Sequence, residues 1–580
     1  MILQALTQYY DVLSAENKVP QSGWGKAKVS FALGIDEQGA LVNVIPLKEE
    51  EERGGKKIES SLVLNVPEQV KKSSGIASNF LCENAAYLLG CASKGNAGRI
   101  QQCFVACRLL HEEILMGIES KAAKAVLAFF ENWIPMEAEN HPVLAAYYEE
   151  IIAGANIVFR FAGAFVQDDE AIQHAWNNRT QNSDVVMQCL VNGNSAPIAR
   201  LHSSIKGVRG AQSVGASLVS FNATAYESYE KKQSYNAPVS EQAVFAYTTT
   251  LNHLISDEKH VQWLGDATIV YWAEDGQEIY QDLFGMAAFG EESNTMGNSD
   301  LHYLVEHIIK GSDIDIEQSE IKWDNHFYVL GLAPNAARLS VRFFLQDSFG
   351  NFINKIKEHY QRLEIVKPAY EKTQYLPMWK LLRETVNPNS RDKAANPLMG
   401  GAFVRSVLTG APYPAALLNG VHMRVRAEQN VTYGKAAIIK AYWLQNGSKT
   451  IKEVMTVSAN ENGDYAPYVL GRLFSVLEAV QEAANPNINA TIKDKYFNSA
   501  CATPAAIFPM LLKLSNSHMR KLEKGHRIFY NQQITELAGK LEGGAHGLPS
   551  RLKLEDQGAF IIGYYHQTQK RYQKKEQGGN

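Results

Sequence analysis

Beyond Lys367-Pro368 the apolar residues of this chain recur at three- and four-residue spacing to its end, while upstream they mix that period with strand-like runs. This change of period is the feature that most limits the folds open to the sequence. Stretches such as Phe403 to Leu408, Ala437 to Leu444, Val469 to Val480, Ile507 to Leu514, Ile528 to Leu537 and Phe560 to Tyr565 each mark a helix, as does Trp379 to Leu382. Gly and Pro/Asn pairs separate them, and short connections between amphipathic helices imply antiparallel packing in a bundle. The expected fold class is therefore α+β: a mixed α/β N-terminal part with β-hairpins, followed by a C-terminal antiparallel helical bundle. At 580 residues the chain exceeds one ordinary core. The expected division is 1–367 as mixed α/β domains, 368–454 as a helical connecting region and 455–580 as the C-terminal bundle.

Upstream, residues 1–13 place Leu3, Leu6, Tyr10 and Leu13 near one helical face. Val29–Ile35 and Leu41–Ile45 flank Asp36-Glu-Gln-Gly39 and read as a β-hairpin. Glu49–Lys57 is highly charged, holds Gly54-Gly55, and reads as an exposed loop. Phe80–Leu89 reads as a helix capped by Ser78 or Asn79, and Ile100 to about Ala175 as mainly helical through Val105, Leu109, Leu110 and Ile114. The segment from Tyr147 to Phe161 fits either period. Val239–Leu254 suits a helix capped by Ser240, and Thr268–Trp272 an inner strand. Phe327–Leu332 and Leu339–Phe344 follow as strands; alternation in the second sets Leu339, Val341 and Phe343 on one face and Arg338, Ser340 and Arg342 on the other.

Apolar residues make up 45% and charged residues 20%, the balance of a soluble globular protein. No apolar run is long enough to cross a membrane, and no secretory leader is evident, so a cytoplasmic protein without membrane partners is expected. Net charge is −4 overall, divided as +4 from Met455 onward and −8 before it. Such a balance argues only weakly against a general nucleic-acid coat and allows local basic patches. The six cysteines form no C-x-x-C pair and are expected to stay reduced. Cys103, Cys107 and His111 fall at i, i+4 and i+8, a stripe that suits a buried helix face better than a zinc site.

Two stretches are built to touch a ligand. Cys189–Tyr229 opens with the hairpin signal Asn192-Gly193-Asn194 and then presents Arg200, His202, Ser203, Ser204, Lys206, Arg209, Gln212 and Ser213, interrupted by Gly207, Gly210 and Gly215. Cations beside hydroxyls and amides suit phosphate and sugar oxygens, although a glycine-rich hairpin with solvated cations fits the same string. The turn Lys71-Lys72-Ser73-Ser74-Gly75-Ile76-Ala77-Ser78-Asn79 is basic and hydroxyl-rich. It reads either as a helix cap with solvated lysines, or as an insertion into a DNA groove in which Ser and Asn reach base edges and the lysines hold phosphate. Arg338 and Arg342, projecting together from a strand, suit a sugar-phosphate backbone or acids of a neighbouring subunit.

Nothing in the sequence matches a nucleophile elbow, a zincin helix, a P-loop or a comparable catalytic motif. No catalytic residue, metal ligand or cofactor is therefore expected. Asp313-x-Asp315 with nearby His302 and His307 carries the rival reading, a metal-dependent nuclease acting on DNA or RNA.

The opening MILQALTQYYDVL, SGIASNFLCENAAYLLG at 74–90, NAPVSEQAVFAYTTTLNHLI at 236–255, VLGLAPNAARLSVRFF at 329–344 and FIIGYYHQTQKRY at 560–572 share an order along the chain. Together with the 189–229 stretch they resemble the large subunit of the type I-C CRISPR interference complex, Cascade. The resemblance implies a non-catalytic subunit that recognises the protospacer-adjacent motif in double-stranded DNA, assists R-loop formation and helps recruit a helicase-nuclease. The partners implied are CRISPR RNA, target duplex, the displaced single strand, and the backbone and handle-binding Cascade subunits. The motif-reading role falls on Lys71, Lys72, Ser73, Ser74, Ser78 and Asn79, since the family reads the motif in its N-terminal domain; Lys206, Arg209, Gln212, Ser213, Arg338 and Arg342 would hold backbone or a neighbouring subunit. The resemblance further implies that the C-terminal helical part is also made separately as a small subunit. Met455 is the expected internal start, giving a basic fragment that tracks the displaced strand by charge and by stacking from Tyr564, Tyr565 and Tyr572.

Overall fold

The computed structural model describes residues 1–53, 56–70, 75–177, 185–290, 321–371, 375–542 and 547–572. The chain divides into two compact units, Met1–Ser203 with Val219–Leu251, and Ser204–Leu218 with Asn252–Asn580.

In the first unit, α1 (Ile2–Ala15) buries Leu6, Tyr9, Tyr10 and Leu13, with the Tyr10 ring edge-on to Phe245 at 5.9 Å. The strands β1 (Trp24–Val29), β2 (Phe31–Ile35), β3 (Leu41–Pro46), β4 (Lys48–Arg53), β5 (Lys56–Pro67) and β6 (Cys82–Asn84) follow, then the short helix α2 (Ala85–Leu88). Next come α3 (Ala97–Leu115), α4 (Lys121–Asn132), α5 (Tyr148–Ile152), β7 (Asn156–Phe161) and β8 (Ala164–Phe165). After α6 (Glu170–Asn177), the pair β9 (Val186–Gln188) and β10 (Ser195–Pro197) leads to α7 (Glu241–Ser256). One sheet runs β3-β2-β7-β6 with β8 on β7; β2 and β7 are parallel, Phe31 opposite Ile157. A second runs β1-β5-β4.

The period of two sorts the first sheet's residues between two cores. Phe31, Leu33, Ile35, Ile157 and Phe159 share a core with Phe104, Val126, Phe129 and Phe130 of α3 and α4. Ala32, Val158 and Cys82 turn the other way and pack with Ala27, Val29 and Val66 of β1 and β5. Phe129 stands edge-on to Phe159 at 5.1 Å and stacks on Trp133 at 5.3 Å.

Here the structure corrects several expectations. Charged residues 49–53 and 56–57 are strand rather than loop, because the backbone pairs from Lys48 opposite Ser61 to Arg53 opposite Lys56; ladder pairing overrides the weak strand preference of acidic residues. Phe80–Leu89 is not one helix: Leu81 has φ of +57°, which ends any helical run there, and β6 precedes a single turn capped by Asn84, whose Oδ1 accepts the Ala86 N–H at 3.1 Å. Strands β7 and β8 interrupt the region read as helical. On α3 the buried face is Cys103, Phe104, Cys107, His111 and Leu115, leaving Val105 and Leu109 exposed.

The second unit centres on the sheet β11 (Val261–Leu264), β12 (Ala267–Ala273), β13 (His326–Asn335) and β14 (Arg338–Ser348), paired antiparallel in that order, with α8 (Glu278–Phe289) between β12 and β13. Ile269, Tyr271, Phe327, Val329 and Phe343 on one face share a core with Phe284, Phe349, Phe352 and Val404. A bulge on β14 shifts the register from Gly331–Phe343 to Leu332–Val341, leaving Arg342 as the extra residue. Opposed residues share a face, so Leu339 and Val341 point one way while Phe343 falls with Arg338 and Ser340. The simple alternation expected for this strand stops at Arg342.

Helices then fill the chain: α9 (Phe349–Leu363), α10 (Met378–Arg383), α11 (Pro397–Thr409), α12 (Ala415–Glu428), α13 (Tyr433–Asn446) and α14 (Lys449–Val454). The last five are α15 (Ala466–Ala484), α16 (Ile492–Ala502), α17 (Pro504–Met519), α18 (Lys524–Glu542) and α19 (Leu554–Tyr572). Helix α15 is buried without a break from Pro467 to Gln481. It meets α19 backbone to backbone: a Cβ at Gly471 would stand 1.9 Å from the Phe560 carbonyl oxygen, and one at Gly563 2.1 Å from that of Tyr468. No described helix is long and apolar enough to cross a membrane.

Five buried histidines share one electrostatic state. Burial lowers His111, His202 and His422 to about 4, and His359 and His566 to about 3. His202, His359 and His566 use Nδ1 with the hydroxyls of Tyr247, Tyr413 and Tyr468, and the Nε2 atoms of His202 and His359 have no hydrogen-bond partner among the described residues. A proton there would leave a buried N–H unsatisfied. Since the folded pKa lies below the unfolded one, this contribution to stability is full above about pH 6.5 and is lost as pH falls through 4. Urea midpoints measured from pH 7.5 to 4.5 are expected to decline across that window, and a flat profile would refute it.

Candidate nucleic-acid interface

Of the motif-reading turn, Lys71, Lys72, Ser73 and Ser74 lie outside the described residues. What borders them is held from inside. Asn79 Oδ1 accepts the Val70 N–H at 2.8 Å, closing the segment across its base, and the Asn79 N–H donates to Glu83 Oε2 at 3.2 Å. Glu83 Oε1 accepts the Asn84 N–H at 2.9 Å. The Ser78 hydroxyl donates to the Asn79 carbonyl at 2.9 Å, and Arg99 donates to the Gly75 carbonyl at 3.2 Å. Ser78 and Asn79 are buried, at 9% and 6% exposure, so their side chains face the protein rather than a groove. The carboxamide of Asn79 thus holds the backbone of Val70, the described residue that precedes the two lysines.

Leu81 is the strained point beneath this turn. Its N–H donates to His111 Nε2 at 3.0 Å, while His111 Nδ1–H donates to the Cys107 carbonyl at 2.8 Å. Both imidazole nitrogens are therefore occupied, and the Cys103, Cys107, His111 stripe is a core face whose histidine holds a left-handed leucine in place. Phe80 stacks on Trp176 at 5.2 Å beside it. Among the described residues no group of three His, Cys, Asp or Glu side chains is placed to hold a metal, and Asp313 and Asp315 lie outside those residues.

The 189–229 stretch does not form one hairpin. Only β9 and β10 pair across Asn192-Gly193-Asn194, and His202 is buried against Tyr247 at 2.6 Å. Residues 204–218 belong to the second unit, where they make a closed loop. Ile205 and Ala216 exchange both backbone hydrogen bonds at 2.9 Å, and Ser217 bridges to the start of β14 through Ala337 and Leu339 at 3.0 and 2.9 Å. Asn252 accepts the Lys206 N–H at 2.8 Å and Thr268 Oγ1 accepts the Arg209 N–H at 3.2 Å. At Gly215 φ is +96°, and a Cβ would lie 2.8 Å from the Ile205 carbonyl oxygen, so the closure requires glycine.

With Ile205 and Val208 buried, the loop turns Lys206, Arg209, Gln212 and Ser213 outward. These four sequence-selected residues share one rigid loop bridged to Arg338, which is half-buried. Arg342 is engaged otherwise: its guanidinium contacts Asp266 Oδ2 at 2.7 Å. The arrangement offers two cations, an amide and a hydroxyl on a fixed backbone, which is chemistry for phosphate rather than for base edges. Sequence reasoning passed over Asn252, Thr268 and Asp266, which anchor backbone or pair a cation, and gave Asn79 a motif-reading role where it anchors backbone. Their only signal is a polar residue inside an apolar pattern, as Asn252 in Thr250-Leu-Asn-His-Leu254.

The C-terminal tyrosines need correction. Tyr564 is buried and donates to Glu478 Oε2 at 2.7 Å, and Tyr565 is buried and donates to the Val366 carbonyl at 2.8 Å, so neither ring is open to stack on a base. Tyr572 is 65% exposed.

Replacing Asn79 with Ala removes the acceptor of the Val70 N–H and is expected to lower stability by about 1–3 kcal/mol. Tryptic cleavage after Lys71 or Lys72 should quicken in the same variant; an unchanged cleavage rate would show that Asn79 does not fasten the turn.

A family model described as CRISPR-associated protein (Cas_Csd1) matches residues 6–572. No curated protein matches the chain. A match of that length takes in both units and every candidate residue named above, and the chain belongs to the Cas_Csd1 family of CRISPR-associated proteins.

Proposed function

We propose that this chain is the non-catalytic large subunit of a type I-C CRISPR RNA-guided surveillance complex, in the cytoplasm. In this reading it recognises the protospacer-adjacent motif in double-stranded DNA, assists R-loop formation, holds the non-target strand and helps recruit the helicase-nuclease. The observation that carries the reading is the family match over residues 6–572. The partners in this reading are CRISPR RNA and the backbone and handle-binding subunits. The outward Lys206, Arg209, Gln212 and Ser213 supply a phosphate contact. The Lys71–Ser74 stretch, which follows the Val70 backbone held by Asn79, is the motif-sampling element, and a minor groove offers it coarse, shape-dependent readout.

The tests separate phosphate contact from base readout. In assembled complex, changing Lys71 and Lys72 to Ala should weaken binding to duplexes with correct and wrong motifs alike and reduce the salt dependence by roughly one per lost contact. Ser74→Ala should instead penalise the correct motif more. Equal losses on both duplexes would remove motif reading from this turn. Incubation with DNA and Mg²⁺ or Mn²⁺ tests the non-catalytic role, since cleavage abolished by Asp313→Ala with Asp315→Ala would establish a nuclease instead.

The same reading includes a small subunit begun at Met455. Residues just after Met455 are held by partners that such a fragment would keep: Arg472 donates to the Asn460 carbonyl and to Glu461 at 2.9 and 2.6 Å, and Lys570 to Glu461 at 2.6 Å. The Asn460 N–H donates to Tyr468 at 3.0 Å. Intact-mass analysis of complex made from the single gene should find a fragment beginning near Met455, and changing that codon should impair assembly; neither effect would end this part of the proposal.

A further inference from the structure

Besides Leu81, the first unit carries a surface segment whose backbone is held against its own preference. Tyr229 and Glu230 have φ of +53° and +59°, and the Lys231 N–H donates to the Ser228 carbonyl at 3.0 Å, so the two residues are the centre of a tight reverse turn with both in the left-handed region. Asn-Gly is what such a turn ordinarily uses, because neither residue suffers there. A tyrosine and a glutamate persist in that conformation only when the surroundings determine it.

Asn236 supplies that determination. Its Oδ1 accepts the Ser228 N–H at 2.8 Å, and its Nδ2 donates to the carbonyls of Lys231 and Gln233 at 2.7 and 2.9 Å. Gln233 is itself left-handed, with φ of +50°. One carboxamide thus staples both sides of the turn. The ring presented at the tip gains nothing from this in packing, for Tyr229 is 94% exposed. Lys231 and Lys232 follow it and are exposed; so is Arg200, whose carbonyl accepts the Ser234 N–H at 3.3 Å. Against these three cations stand Glu230, exposed, and Glu227, half-buried.

A rigid, fully presented aromatic ring with cations at its side matches one ligand better than others. Bases in a duplex hide their faces in the stack, whereas an unpaired base offers a face, with phosphates a few ångströms away on either side. We propose that Tyr229 is a stacking contact for an unpaired base of opened DNA, with Lys231 and Lys232 holding the adjoining phosphates. The role rests on the DNA-binding reading above, but concerns a tip that the motif-sampling turn does not include.

The test uses the full chain and a short single-stranded oligonucleotide carrying a central 2-aminopurine, whose fluorescence falls on stacking. Wild type should quench the probe and bind it more tightly than the matching duplex. Tyr229→Ala should weaken binding about 10-fold and lose most of the quenching, while Tyr229→Phe keeps both. The informative variant is Tyr229→Asn, which suits the left-handed turn: it should melt at the same temperature as wild type or higher, yet bind like Tyr229→Ala. Unchanged quenching in Tyr229→Asn, a preference for the duplex, or tighter stacking on RNA of the same sequence would overturn the proposal. So would losses confined to Lys231→Ala with Lys232→Ala, which would leave a phosphate contact without stacking. Motif-dependent duplex binding by the assembled complex is read separately, so failure of the tip leaves that reading standing, and the reverse.

Discussion

The second unit depends on a helix with no free side. From Pro467 to Gln481 every residue of α15 is buried, including Arg472, Ser475, Glu478 and Gln481. Burying such groups is costly unless each finds a partner, and each does. Arg472 donates to Gln567, Asn460 and Glu461; Ser475 pairs with Thr568; Glu478 accepts from Tyr564 and Thr491; Gln481 accepts the Ile492 N–H. Burial raises the Glu478 carboxyl pKa, with hydrogen bonds from Tyr564 and Thr491 opposing the rise. Because these partners come from α19, from the start of α16 and from the 456–465 connection, one buried helix specifies the placement of its neighbours by hydrogen bonds as well as by shape.

The same device recurs at the surface. Asn79 holds the backbone at Val70, Asn252 the 204–218 loop, and Asn236 the Tyr229 tip. In each case a side-chain amide takes the place of a missing ladder or helix partner, satisfying backbone groups that would otherwise need water. A loop held this way presents its outward side chains in a fixed arrangement, which lowers the entropy lost when a ligand binds. Charge placement follows the same economy of means. The chain is acidic overall, so its basic residues act locally, and Arg342 is matched to Asp266 while Lys206 and Arg209 stay turned to solvent.

Membership in the Cas_Csd1 family places the chain among CRISPR-associated proteins, and the fold is the mixed α and β arrangement that the change of apolar period implies. Recognition of the family rested on long blocks in a fixed order, which carry far more information than any local motif. Local reasoning about single residues was less reliable. Ser78, Asn79, Tyr564 and Tyr565 have the chemistry for nucleic acid but spend it on their own protein.

What the sequence determined by itself was period, and through it element type. The helices after Lys367, the Asp36–Gly39 hairpin turn, the α7 cap at Ser240 and the inner strand β12 are all readable because apolar spacing and cap residues act within a few positions of themselves. What only the tertiary structure decided was direction and partnership. Leu81 in a left-handed conformation and the assignment of residues 204–218 to the second unit depend on contacts with residues tens of positions away, and the bulge at Arg342 on its register with β13. His111 is thirty residues from the leucine whose N–H it accepts. A polar side chain has several partners within reach of its chemistry, and no local rule chooses among them; packing chooses, because only one partner is brought close enough to replace the water that burial removes.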